Sequence, residues 1–114
     1  MSFFTPEERR AREEAIRERD AGQADNDRLR QAIIDEVYPE ALQKIREAFT
    51  SGARGAYFSI NKDPDAFAKH GSPCTVNVCD VLKQRLDSET GMDCSVRANH
   101  GEWSDGIDIS VTFP

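Results

Sequence analysis

The sequence predicts an α+β fold, a two-layer sandwich in which helices cover a small three-stranded sheet. Three observations lead there. Val78, Leu82 and Leu86 recur four apart with Cys79 and Val81 on their flanks, the apolar stripe of a helix buried on one face. Two alternating runs follow it: Met92, Cys94, Val96, Ala98 and then Ile107, Ile109, Val111, Phe113 each interleave with polar residues, as half-buried strands do. The first fifty residues carry helical spacing instead, so helices and strands segregate along the chain.

The first element has a clear start signal in Thr5-Pro6-Glu7-Glu8. Thr5 caps, Pro6 takes the first helical position, and Glu8 reaches back to the capping residue. This helix runs to about Asp20 and has little to bury beyond Ala11, Ala15 and Ile16. Glu8 with Arg12 and Glu13 with Arg17 stand as acid-before-base pairs at spacing four. A helix polar all round bridges solvent, binds a partner, or forms only in part. Residues 1–24 are therefore read as a charged helical arm, and residues 25–114 as one α+β domain.

Gly22 and Asp25-Asn26-Asp27 punctuate the chain, and a second helix is expected to begin there. Leu29, Ile33 and Val37 form one stripe; Tyr38, Leu42, Ile45 and Phe49 form another, displaced around the axis. Pro39 lies between them and predicts a kink or restart, because it removes a backbone hydrogen bond. After the loop Ser51–Gly55, Tyr57–Asn61 reads as a short strand with Phe58 and Ile60 inward. Residues 62–72 connect it, with a turn of helix expected at Asp65–Lys69, to a helix capped by Ser72 with Pro73 at its first position and Gly91 as its terminator. A right-handed crossover through that helix makes the first two strands parallel, and the third is expected between them, antiparallel to both. The residues from His100 to Gly106 suit a long hairpin loop.

Composition narrows the function classes. The chain has 114 residues, one modest core's worth, and a net charge of −6 with the acid excess shared by both halves. No basic patch is visible, and an acidic chain repels phosphate, so direct nucleic-acid binding is not expected. No apolar run approaches the roughly 20 residues of a membrane helix, and the start lacks the pattern of a secretory leader. Three cysteines, two at apolar-face positions, suggest reduced thiols and a cytoplasmic setting.

Several residues carry chemistry. Cys74, Cys79, Cys94 and His100 have the ligand types of a zinc site, but not the close pairs on turns that zinc sites use; no metal and no cofactor is expected. Cys79 and Cys94 read as small buried hydrophobes. Cys74 at a helix start with His70 four residues before it has the beginnings of a nucleophile and base, without a third member or an oxyanion loop. The loop holding His100, Glu102, Trp103 and Asp105 combines an aromatic, two acids and an imidazole, either as a recognition surface or as a cover for the hairpin end. Asp63 and Asp65 in the neighbouring connection add two more acids. Phe3 and Phe4 either tuck against the domain or the stem of Arg9, or anchor a partner or a second subunit.

No phosphate loop, nucleophile elbow or zinc-protease motif is present. The expectation is a non-enzymatic acidic module that occupies a basic surface of a partner protein, as inhibitors and immunity or phage anti-defence proteins do. Its partner-binding residues are expected to be Phe3, Phe4, His100, Glu102, Trp103 and Asp105. The alternatives are an assembly or chaperone protein that dimerises through the N-terminal helices, and a small thiol-dependent enzyme using Cys74 and His70.

Overall fold

A computed structural model describes residues 3–65 and 75–114. The elements run α1 (Pro6–Thr50), β1 (Gly55–Ile60), α2 (Val78–Thr90), β2 (Ser95–His100) and β3 (Asp105–Thr112). This is the α+β arrangement expected, with one departure: the arm and the second helix are a single helix of 45 residues, about 67 Å long. Its start is as read from the sequence. The Thr5 hydroxyl accepts from the Glu8 amide at 3.2 Å, and Pro6 opens the first turn.

The expected break at Gly22 to Asp27 and the second start there are absent, because the buried stripe passes straight through them. Gly22, Asn26, Arg30, Ile34, Val37, Ala41 and Ile45 are the buried residues of α1, spaced three or four apart throughout. Asn26 is fully buried and Arg30 is 8 % exposed. Of the two expected stripes, Val37 and Ile45 belong to this buried one, Leu29, Ile33, Tyr38 and Leu42 are its half-buried flanks, and Phe49 is 61 % exposed. The helix also continues through Pro39. Proline supplies no N–H to the carbonyl of Asp35, but both residues are exposed, so water can serve that carbonyl. Burial of Val37 and Ala41 holds the turn on the other side. The expected Glu8–Arg12 and Glu13–Arg17 ion pairs do not close among the described residues.

α2 begins later than expected. Ser72 and Pro73 lie outside the described residues; Thr75 to Asn77 are not helical, and Asn77 is the cap, accepting from the Asp80 amide at 3.1 Å. Asp27 of α1 holds this approach. Its carboxylate accepts from the Thr75 amide at 2.8 Å, the Thr75 hydroxyl at 2.7 Å and the Val76 amide at 3.3 Å, while Arg30 donates to the Val76 carbonyl at 2.9 Å. Val78, Leu82 and Leu86 are the buried face, as their spacing predicts. The helix stops at Gly91, whose φ of +69° is the left-handed region glycine tolerates.

The exit from α2 is tied by one lysine. Lys83 Nζ reaches Asp87 at 2.7 Å, Asp93 at 2.6 Å and the Cys94 carbonyl at 2.8 Å, and Asp87 also accepts from the Cys94 amide at 2.7 Å. These bonds hold the lysine's pKa well above its usual value and Asp87 below the usual carboxylate range.

The sheet order is β1-β3-β2 with both pairings antiparallel, the order expected. Ile60, Ile107, Ile109 and Val111 face the helices and join Ile34, Val37, Ala41, Ile45, Val78, Leu82, Leu86 and Cys94 in one core. Ala98 departs from its apolar set: it is exposed near the free end of β2. The hairpin loop is four residues, 101–104, shorter than expected, and closes with the Gly101 amide donating to the Ser104 carbonyl at 3.0 Å. A Cβ on Gly101 would stand 2.8 Å from that carbonyl oxygen, so the turn needs glycine.

Candidate protein-binding site

The β2–β3 hairpin positions the expected loop residues. β2 ends on His100 and β3 starts on Asp105, and these two are opposite each other in the register. Their side chains meet across it: His100 Nδ1 lies 3.1 Å from Asp105 Oδ1. The other ring nitrogen, Nε2, lies 2.9 Å from Asp65 Oδ2, so His100 is bracketed by two carboxylates. The bond to Asp105 raises the imidazole pKa above its ordinary 6.5, and the charge of Asp65 adds to it. Asp65 is itself placed by its neighbours. Its amide donates to Asp63 at 2.9 Å, and Pro64 between them is buried. The two acids of the connection thus stand beside the hairpin, as their place in the chain suggests.

Beyond this bracket the loop is open. Trp103 is 94 % exposed and Glu102 is exposed beside it. The tryptophan does not fold back over the hairpin end. The result is an exposed aromatic next to Glu102 in a loop whose base holds His100 between the Asp65 and Asp105 carboxylates. That chemistry suits a cationic, partly apolar surface.

Phe3 and Phe4 are elsewhere. They stack edge to face with centroids 5.1 Å apart, 90 % and 57 % exposed, and Phe4 lines a hollow with Glu8, Arg9 and Arg12. Lys62, just past β1, pairs with Glu36 at 2.7 Å, which sets the hairpin end of the sheet against the middle of α1. The thirty residues of helix between Pro6 and Glu36 put the phenylalanines about 45 Å along the axis from there. The expected residues therefore fall into two separate groups.

The thiols fit packing. Cys94 is buried and Cys79 half-buried, and burial pushes both thiols up in pKa, the opposite of activation. Cys74 and His70 lie outside the described residues. Among the described residues no three potential ligands converge on a metal position, and no helix is long and apolar enough to cross a membrane. Tyr57, 76 % exposed on the outer face of β1, is the prominent surface residue that the periodicity left unremarked. No family model, curated protein or solved structure matches the chain.

Proposed function

We propose that the chain is a non-enzymatic acidic binding module that occupies a basic surface of a partner protein, in the manner of an inhibitor or immunity protein, with the Trp103 tip as its leading contact. The observation that carries this reading is the exposure of Trp103, 94 %, beside Glu102 and the Asp65–His100–Asp105 bracket. An exposed tryptophan is a costly surface residue and a frequent hot spot, and carboxylates in the same hairpin end steer it toward cationic partners. The net charge of −6 acts in the same direction at long range.

The test is photo-crosslinking in cells that make the protein, with a reactive phenylalanine analogue at position 103 or, as control, at Gln84 on the exposed face of α2. The reading expects position 103 to capture a protein bearing a basic surface, and expects Glu102→Lys or added salt to weaken the capture. Identical adducts at position 84, or capture indifferent to salt and charge, would overturn it.

A second reading is an assembly protein that self-associates through α1. Its support is that residues 6–21 are exposed apart from a half-buried Ile16, so the arm has a long free surface. Light scattering of the full chain across concentration tests it, and a constant monomer mass would dismiss it.

A further inference from the structure

We infer that the outer edge of β1 is a docking site for an extended polypeptide segment carrying an acidic side chain, which adds to the sheet as a fourth strand. The surface is separate from the hairpin tip, and its occupant is recognised by different chemistry.

The hydrogen-bond phase of the sheet identifies the open groups. The Phe113 amide donates to the Arg54 carbonyl at 2.9 Å, which makes 54 and 113 a hydrogen-bonded pair in the β1–β3 register. The phase then alternates, so Ala56, Phe58 and Ile60 turn their N–H and C=O groups toward β3. Gly55, Tyr57 and Ser59 turn theirs outward, away from the sheet. By the same alternation the outward residues of the other edge, β2, are Val96, Ala98 and His100.

The two edges are not equivalent. β1, Gly-Ala-Tyr-Phe-Ser-Ile, has no charge, no proline and no bulge, the devices that keep an edge from pairing. β2 carries Arg97 and ends in the His100 bracket. Beside β1 there is also a groove, walled by Lys44, Glu47 and Ala48 of α1 and by Ala56 and Phe58. Phe58 is only half-buried, so its ring gives the groove an apolar floor, with Lys44 Nζ 5.7 Å from the ring centroid. Successive side chains of an added strand would point alternately into this groove and out beside Tyr57.

Charge selects the occupant. Lys44 on one wall has no carboxylate within ion-pair distance among the described residues, and the Glu47 carboxylate is held aside by the Gln43 amide at 3.0 Å. An acidic side chain entering the groove meets the Lys44 ammonium on a protein that is otherwise acidic. A second copy of β1 fits less well. α1 packs against β1, so pairing two β1 edges about 4.8 Å apart would crowd two helices that need 8–10 Å between axes.

The experiment is selection from a display library of random linear eight-residue peptides on the full-length chain, with NMR mapping of the selected peptides. Expected are peptides rich in β-branched and aromatic residues with one recurrent Asp or Glu, shifting the amides of Gly55, Tyr57 and Ser59. Tyr57→Pro, which removes an outward N–H that the sheet does not use, should weaken binding about tenfold or more, and Lys44→Glu about fivefold. Ala98→Pro, the same change on β2, should leave it unaltered. If Tyr57→Pro loses cooperative unfolding, Ser59→Pro makes the equivalent test. The inference is overturned if no peptide is selected, if the shifts fall on Val96, Ala98 and His100, or if Tyr57→Pro and Ser59→Pro bind like the parent. It is equally overturned if the edge proves to be closed by self-association that Tyr57→Pro abolishes.

Discussion

Replacing Pro39 with alanine should stabilise the protein. Proline in a helix interior is about 3 kcal/mol less favourable than alanine, and α1 runs unbroken on both sides of position 39. Pro39 is exposed, so the substitution removes no core contact, and alanine returns an N–H to the Asp35 carbonyl four residues back. Two effects reduce the full value: water can serve the carbonyl of the exposed Asp35, and proline restricts the unfolded chain by about 0.4–1 kcal/mol. A gain of roughly 1–2 kcal/mol remains, which for a chain of this length raises Tm by about 4–8 °C. Urea unfolding followed by circular dichroism at 222 nm measures it, with an unchanged m-value showing that the denatured state is unaffected. A neutral or negative result would refute the reasoning. It would mean that the proline shapes a bend on which the packing of Val37 and Ala41 depends.

Leu82→Ala, at a residue with no exposed surface, should cost about 2–5 kcal/mol and lower the urea midpoint accordingly; a smaller loss would mean that α2 repacks easily. His100 has a raised folded pKa, so its contribution is fully present below its ordinary 6.5 and is lost as pH rises through the folded value. Asp105→Asn should move the imidazole titration, followed by NMR, back toward 6.5; no movement would show that the Asp105 contact is not formed. Asp87 has a lowered folded pKa, so its contribution is present above the ordinary 3.8 and is lost as pH falls through the depressed value. Asp87→Asn should flatten the acid limb of the stability profile, and an unchanged limb would remove Asp87 from the α2 exit.

The elements legible in the sequence were those whose buried residues are apolar. Leu82 and Leu86 in α2, and Ile107, Ile109 and Val111 in β3, announce their faces by spacing alone, whereas the expected strand order came from the handedness of the crossover through α2. α1 was misread because its buried stripe includes Gly22, Asn26 and Arg30, residues that hydropathy assigns to solvent or to a break. Arg30 is buried because the Val76 carbonyl accepts from it, and only the tertiary fold supplies that partner. The start of α2 differs from the expected Ser72-Pro73 start because the bonds that Asp27 accepts from the Thr75 and Val76 amides hold the chain before Asn77 out of the helix, and only the tertiary fold brings Asp27 there. The hairpin site was legible as a cluster, since His100, Glu102, Trp103 and Asp105 are neighbours in sequence. The β1 edge was not: which backbone groups face outward depends on strand order and hydrogen-bond phase, neither of which a side-chain pattern encodes.

The length of α1 has a consequence for how the molecule behaves in solution. Its extents are 72 × 32 × 19 Å and its radius of gyration is 19.6 Å. A compact chain of 114 residues would have about 13 Å, and a value near 20 Å belongs to a compact chain of roughly 300. A single copy will therefore tumble anisotropically and leave a sizing column early, ahead of a rounded protein of its 12.8 kDa. An apparent mass two or three times too large is the signature of one straight helix, and mass must be measured by a method indifferent to shape.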